Sequence, residues 1–132
     1  MGIAVSSWQL ARAVSLTGQL GVVSGTALDV VVARRLQDGD PGGHVRRALE
    51  HFPVPALAEE VLAQYYRPEG RADGHGYAPV PKLRPGSRRS AVLAIVGNFA
   101  EVWLAKEGHD GVVGTNCLEK IQMANPTAIL GA

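Results

Sequence analysis

Cysteine and aromatic residues are scarce in this sequence of 132 residues. Cys117 is the single cysteine, which excludes an intrachain disulfide and any metal site built from several cysteines. Aromatic residues make up 5% of the chain, whereas proteins that bind single-stranded nucleic acid interleave aromatic with basic side chains. Lys and Arg number 13 and Asp and Glu 12, so the net charge of +1 creates no field that attracts nucleic acid. We therefore expect no nucleic-acid partner.

Long apolar runs and a visible targeting segment are also missing. No apolar stretch approaches the ~20 residues that a membrane-spanning helix requires. Residues 1–5 lack the basic region with which a secretory signal begins. A single cysteine fits a reducing compartment. We therefore predict a cytoplasmic protein that does not enter a membrane.

The motifs of several enzyme classes do not occur. The sequence has no G-x-x-x-x-G-K-[ST] phosphate loop and no G-x-S-x-G nucleophile elbow. The four histidines lack metal-ligand spacing, and we interpret all of them as solvated surface side chains: His44, His51, His75 and His109. We therefore predict neither a metal site nor a catalytic residue in this chain.

Glycine and proline divide the chain into segments with helical or strand spacing of apolar residues. Apolar residues three and four positions apart predict helices over residues 8–17 and 90–107, each followed by a glycine placed to end it. The same spacing predicts helices over residues 28–36 (with Thr26 and Asp29 as a capping box), 45–49 and 55–65, and from residue 126 onward. Residues 67–89 show no periodicity, and we interpret them as a loop insertion at the surface, with a lid or contact segment as the alternative.

Two short apolar runs, residues 20–24 and 112–115, are typical of strands buried in a parallel sheet. Strands joined by helical connections run parallel and usually lie side by side, so we expect these two to pair. Gly25 and Asn116 would then lie at the same edge of the sheet. The alternation of helices and strands predicts the α/β class.

Two parallel strands do not make a complete sheet, because both outer edges stay unpaired and both faces need cover. The apolar pattern that begins at residue 126 is also unfinished at Ala132. We therefore predict that residues 1–132 form a single incomplete domain. The missing part of the fold, or self-association of the chain, would cover the exposed strands.

The ends of the two strands are the best candidates for a binding site, because ligands of parallel α/β folds bind beyond the carboxyl ends of the strands. Asn116 offers an amide donor and a carbonyl acceptor there, although asparagine also ends strands for conformational reasons. Gly25 and Gly2 would let a flat ligand or a phosphate approach the backbone, and turn geometry explains both glycines equally well.

Both ends of the chain resemble the nitronate monooxygenase family, formerly called 2-nitropropane dioxygenases. The resemblance lies in residues 1–15 (MGIAVSSWQLARAVS) and residues 18–26 (GQLGVVSGT). Residues 98–109 (NFAEVWLAKEGH) and residues 114–122 (GTNCLEKIQ) resemble one bacterial branch of that family. Residues 38–89 match only loosely.

The resemblance implies a (β/α)8 barrel of the TIM type that binds FMN non-covalently at the carboxyl ends of its strands. We therefore predict that this chain is the N-terminal portion of such a barrel, with parallel strands and an inserted helical and loop region. The family oxidises alkyl nitronates with O2, so the expected substrate is a small-molecule nitronate. The alternatives are an FMN protein that reduces enoyl thioesters in fatty-acid or polyketide pathways, or an inactive truncated gene product.

The resemblance also names candidate cofactor-binding residues. Met1 and Gly2 match the family's first flavin-contacting segment, and Asn116 matches an asparagine that contacts the flavin or its phosphate. Gly25 and Gln122 are the two further candidates for contact with FMN. None of the four histidines matches the family's catalytic histidine, so we expect the chain alone to be inactive.

Overall fold

The computed structural model describes residues 2–82, 84 and 86–132, without the side chains of Glu119 and Ile121. In chain order the elements are α1 (Trp8–Leu16), β1 (Gly21–Ser24), α2 (Leu28–Gln37), α3 (His44–Leu49), α4 (Pro55–Tyr65), α5 (Arg88–Lys106), β2 (Val113–Asn116) and α6 (Asn125–Gly131). Short 3-10 helices cover Pro41–Gly43 and Glu119–Ala124. Among the described helices, none combines the length and the apolar character that crossing a membrane requires.

Most of the predicted elements are present, with ends shifted by one or two residues. The helix predicted over residues 55–65 is confirmed at both ends. Gly18, with φ +81°, follows α1 as predicted. The long helix α5 begins at Arg88 and not at Ser90, because Ser87 caps it by accepting a hydrogen bond from the Ser90 amide at 3.5 Å. The last two residues of the predicted loop insertion, residues 67–89, therefore belong to α5.

The capping box predicted for α2 is wrong. The residue before the helix is Ala27, which has a left-handed φ of 56° and makes no side-chain capping bond. Asp29 lies in the first turn instead, where a carboxylate is favoured by the helix dipole. Burial raises the pKa of Asp29, against the opposing effect of hydrogen bonds from the backbone of Val30 and of Asp29 itself.

The predicted pairing of the two strands is confirmed. β1 and β2 are parallel neighbours, in a register that places Gly21 opposite Val113 and Ser24 opposite Asn116. Asn116 is thus the last residue of β2 and not the first residue after it. The amide of Gly25 donates to the Asn116 carbonyl at 3.0 Å, one step beyond the last register pair. We call this end of the pair the carboxyl edge.

The predicted fold class, an α/β protein that forms part of a TIM-type barrel, is wrong. The described residues form two short strands in one sheet and no barrel. A (β/α)8 barrel alternates one strand with one helix, whereas four helices, α2 to α5, lie between β1 and β2. The fold is a mixed, mainly helical arrangement with a small parallel sheet.

The packing explains why the helices and not the sheet dominate this fold. The main cluster of buried apolar residues comes from α2, α3, α4 and α5 and the segment after α3, and includes Leu36, Leu49, Phe52, Val61, Leu93 and Leu104. In the second, smaller cluster, Val23 of β1 packs with Ala11 and Ala105. β2 is half-buried along its length. The apolar face of α5 therefore packs mainly on other helices.

A close contact between α2 and α5 fixes the position of the carboxyl edge relative to the helices. A β-carbon at Gly97 in α5 would lie 2.5 Å from the Leu28 carbonyl oxygen at the start of α2. Only glycine allows the two backbones to approach this closely. The first turn of α2 is thereby held against the middle of α5.

The loop between α4 and α5 is attached to the C-terminal end of α2. The Tyr77 ring lies between the guanidinium groups of Arg34 and Arg71, at 4.9 and 3.7 Å. The Tyr77 hydroxyl donates to Asp38 at 2.9 Å, and Arg71 pairs with the same carboxylate at 2.7 Å. Although burial raises the pKa of Asp38, these hydrogen bonds and the positive charges of the two arginines lower it overall.

Candidate functional site

The carboxyl edge brings together two of the residues predicted to contact a cofactor. Gly25 is buried and Asn116 is half-buried, and their backbones are joined by the Gly25 amide and the Asn116 carbonyl at 3.0 Å. Gly25 directly follows β1, and Asn116 is the last residue of β2. The carboxyl edge therefore corresponds to the place where parallel α/β proteins bind ligands.

The surroundings of Gly25 leave little open space. A β-carbon at this position would lie 2.8 Å from Thr115 Oγ1 and 3.3 Å from Asn98 Oδ1. The adjoining cavity, about 20 Å³, is lined by Gly25, the start of α2, Ala94 and Asn98 of α5, and Ala124 and Ala128. Because ligand pockets have roughly 300–1,000 Å³, this cavity cannot admit a flavin ring. Gly25 therefore has no surface available for direct flavin contact.

Asn98 is a site residue that sequence reasoning did not single out. It lies in the middle of α5, is 2% exposed, and donates from Nδ2 to the Ala94 carbonyl at 2.9 Å. Its Oδ1 has no hydrogen-bond partner among the described residues, and the same is true of Thr115 Oγ1. The available signal was an amide side chain inside an apolar helix, which is unusual because buried polar groups need partners.

The remaining predicted cofactor residues are spread around the edge. Met1 lies outside the described residues. Gly2 is exposed, and its carbonyl accepts hydrogen bonds from Val5 and Ser6 at 3.2 and 3.3 Å. Ser6 in turn accepts from the Ser24 amide at 2.9 Å, so the segment that starts at Gly2 lies beside β1. Gln122 is exposed in the 3-10 helix Glu119–Ala124, two residues before the cavity-lining Ala124.

A larger groove begins beside the carboxyl edge and runs along α2. Its volume is about 490 Å³, and its lining residues are Ile3, Ala4, Ala27, Val30, Val31, Arg34, Arg35 and Asp38. This volume lies within the range of ligand pockets. We call it the α2 groove.

Two features of the α2 groove are unusual for an ordinary surface. Ala4 and Ala27 both have left-handed backbone conformations, with φ of 59° and 56°, each costing on the order of 1–3 kcal/mol. Arg35 pairs with Glu101 at 2.6 Å and Asp38 with Arg71, whereas Arg34 has no ion pair among the described residues and lies 4.9 Å from the centre of the Tyr77 ring.

The histidines contribute to neither space. His51 and His75 are exposed, as predicted. His109 is half-buried and not solvated, because its Nε2 lies 2.7 Å from the Ala105 carbonyl and its Nδ1 accepts from the Gly111 amide at 3.1 Å. His44 is also half-buried, with its ring 5.0 Å from that of Trp8. Among the described residues, no histidine lines the cavity at Gly25 or the α2 groove.

Two of the five predicted cofactor residues, Gly25 and Asn116, are thus brought into direct contact. FMN fits this region only in part, since the α2 groove has the required volume and the Arg34 guanidinium while the cavity at Gly25 is too small. Comparison of the chain with protein-family models, with curated proteins and with solved structures finds no match.

Proposed function

We propose that this chain supplies part of the flavin site of an FMN-dependent oxidoreductase that oxidises alkyl nitronates with O2. The observation that carries the proposal is the contact between Gly25 and Asn116 at the carboxyl edge, beside a groove of about 490 Å³. The resemblance of residues 1–15, 18–26, 98–109 and 114–122 to nitronate monooxygenases supports the same assignment. The reaction would take place in the cytoplasm, as the cysteine content predicts.

The residues at the edge would bind and orient the cofactor. The Asn116 side chain carries both a donor and an acceptor, which suits the polar rim of a flavin ring. The exposed backbone at Gly2 permits close approach, and the Arg34 guanidinium would pair with a phosphate. Bound FMN supplies the electron transfer, while the protein supplies binding and orientation.

The charge of the substrate favours nitronate over enoyl thioester. A nitronate is the deprotonated form of its nitroalkane and therefore an anion, which the Arg34 guanidinium of the α2 groove would attract. An enoyl thioester carries no charge at its reacting carbons.

Flavin binding is the first test. FMN titrated into the full chain should show saturable fluorescence quenching with weak affinity, in the range of about 0.1–1 mM, because the α2 groove and Asn116 offer the cofactor few polar contacts. Asn116→Ala and Arg34→Gln should each weaken binding by at least about fivefold, roughly the loss of one hydrogen bond or ion pair. Gln9→Ala, which removes an exposed amide from α1, is the matched control and should bind as wild type does. Linear quenching, or equal affinity of the Asn116 variant, would reject the flavin site.

The substrate is tested by ligand binding without oxygen, because the chain alone is expected to turn nothing over. An alkyl nitronate should shift the absorbance bands of FMN bound to the chain in a saturable way, and Asn116→Ala should remove the shift. An enoyl thioester should leave the spectrum unchanged. A spectrum that does not respond to the nitronate would contradict the nitronate as the substrate even if FMN binds.

A further inference from the structure

Three aspartates of this chain are followed directly by glycine, a pair that is prone to rearrange to isoaspartate. The pairs are Asp38–Gly39, Asp73–Gly74 and Asp110–Gly111. In such a pair the glycine amide nitrogen attacks the aspartate side-chain carboxyl, because the glycine has no side chain that would shield its nitrogen. The attack requires a free amide and a backbone that rotates, so the local stability of the fold decides which pair reacts.

The fold holds the Asp38–Gly39 pair on both sides. The Asp38 carboxylate accepts from Arg71 Nε at 2.7 Å and from the Tyr77 hydroxyl at 2.9 Å. The Gly39 amide donates to the Leu36 carbonyl at 3.1 Å. The amide and the carboxylate therefore cannot meet without the loss of these bonds.

The Asp110–Gly111 pair is held by its amide and by close packing. The Gly111 amide donates to His109 Nδ1 at 3.1 Å. A β-carbon at Gly111 would lie 2.6 Å from the Ser15 carbonyl oxygen, so α1 packs directly against this backbone. The Gly111 nitrogen is therefore restrained from attack on Asp110.

The Asp73–Gly74 pair lies in an exposed turn without such restraints. The turn is closed by the His75 amide, which donates to the Ala72 carbonyl at 3.1 Å, and residues 71–79 are all exposed. Among the described residues, no backbone carbonyl accepts from the Gly74 amide. A β-carbon built at Gly74 meets no atom within 4 Å other than those of its neighbours in the chain. The turn therefore has both the free amide and the room to rotate that the reaction requires.

We propose that Asp73 is the site at which the folded chain forms isoaspartate. The Gly74 amide nitrogen attacks Cγ of Asp73, and its proton leaves with the hydroxyl of the carboxyl as water, which closes a succinimide ring. Water then adds to the ring carbon that was the Asp73 backbone carbonyl, and the bond from this carbon to the nitrogen breaks. The main chain now runs through Cγ, and the former backbone carbonyl carbon carries a free carboxylate. One water leaves and one enters, so no further reactant is needed.

The rearrangement would loosen the attachment of this loop to α2. Arg71 bridges the turn and the helix, since its Nη1 donates to the His75 carbonyl at 2.8 Å and its Nε to Asp38 at 2.7 Å. Isoaspartate at position 73 adds one carbon to the backbone between these attachment points, so Arg71 cannot keep both bonds in their present geometry. Asp38 also lines the α2 groove. The proposal does not depend on flavin binding, because no residue of the turn is asked to contact FMN.

Ageing of the full chain in its folded and unfolded states tests the site. Samples are kept at neutral pH with and without concentrated urea and then digested, and the peptides are assayed with an isoaspartate-specific methyltransferase. In the folded chain Asp73 should isomerise at least about tenfold faster than Asp38 or Asp110. In urea the three should react at similar rates, because each precedes glycine. A rate at Asp73 of the folded chain no higher than at the other two would overturn the proposal.

A matched pair of variants tests the assignment in the intact chain. Asp73→Glu keeps the charge but prevents the reaction, because glutamate would have to close a larger ring that forms more slowly. Asp110→Glu is the control, at an exposed aspartate that also precedes glycine. After equal ageing of the folded chains, Asp73→Glu should lose most of the methyl-accepting capacity of wild type, and Asp110→Glu should retain it. Undiminished methylation of Asp73→Glu would contradict the assignment.

Hydrogen exchange tests the loosened attachment. The Ala78 amide donates to Gln37 Oε1 on α2 at 2.6 Å, next to Tyr77 in the same loop. In the isomerised fraction of the aged chain this amide should exchange at least about fivefold faster than in fresh chain. The amides of α4, which ends before the loop, should exchange as before and serve as the control. Equal exchange of the Ala78 amide in the two samples would show that the loop stays attached, which overturns this part of the proposal.

Discussion

The Gly25 amide donates a hydrogen bond to the Asn116 carbonyl oxygen at 3.0 Å. This bond continues the parallel ladder beyond Ser24, the last residue of β1. It joins residues that lie far apart in the sequence and makes them neighbours at the carboxyl edge. Because Asn98 of α5 faces the same point, the strand pair and the longest helix meet there.

Glu101 should be important for the stability of the fold. It is 2% exposed; Oε1 accepts from the Trp8 amide at 2.7 Å and Oε2 from Arg35 at 2.6 Å. Glu101→Ala leaves both donors without a partner, so we expect it to lower the free energy of unfolding by about 3 kcal/mol. Urea denaturation measures this loss. Glu59→Ala, at an exposed position on α4, is the control and should unfold as wild type does. Equal urea midpoints for the two variants would show that Glu101 does not stabilise the fold.

The contact between α5 and α2 requires glycine at position 97. Gly97→Ala would place a β-carbon 2.5 Å from the Leu28 carbonyl oxygen, and the helices would have to separate. We expect a loss of about 1–3 kcal/mol, the usual cost of overpacking. Gly76→Ala is the control, because no atom lies within 4 Å of its added β-carbon. Thermal denaturation of the two variants compares them, and a Gly97 variant as stable as wild type would mean that α2 and α5 are not held this closely.

The main core lies among the helices, and this can be tested by two leucine truncations. Leu36 in α2 is 0% exposed, whereas Leu130 in α6 is 73% exposed. Leu36→Ala should cost about 2–5 kcal/mol because it leaves a cavity in the helical cluster. Leu130→Ala should change the free energy of unfolding by less than about 0.5 kcal/mol. Similar losses for both would contradict the observed packing, and chemical denaturation supplies the numbers.

The ion pair between Arg47 and Glu107 should make stability depend on pH. Hydrogen bonds from the Arg47 guanidinium, at 2.8 and 2.9 Å, lower the pKa of Glu107 from its ordinary value of 4.5. Since the pKa is lower in the folded chain, the pair stabilises it above about pH 4.5, and this contribution is lost as the pH falls through the folded pKa. Both side chains are about one third exposed, so we expect a contribution of about 0.5 kcal/mol.

Comparison of wild type with Glu107→Gln at two pH values measures that contribution. The difference in urea midpoint should be present at pH 7 and smaller at about pH 3, because Glu107 loses its charge as the pH falls through its folded pKa. Glu50→Gln, on an exposed residue after α3, corrects for the general effect of removing an acid. A Glu107 difference that is the same at both pH values would show that the ion pair does not contribute.

Local sequence patterns determined the helices, the strands and the pairing of the strands. The helix over residues 55–65 and the parallel contact between Gly25 and Asn116 were predictable. Helical periodicity and short apolar runs depend on hydrogen bonds and burial within one segment. The direction of a strand pair follows from its connection. These properties need no knowledge of distant residues.

The tertiary structure alone decided what each apolar face packs against. Periodicity shows that Leu36 and Leu93 are buried but not that they meet in a cluster of four helices, and this is why the predicted barrel is wrong. The cavity at Gly25 and the α2 groove were likewise unpredictable, because each is lined by segments that are distant in sequence. Close packing and the pairing of buried polar atoms are properties of the assembled chain, so the sequence could place Asn116 at an edge but only the fold could bring Asn98 of α5 to the same edge.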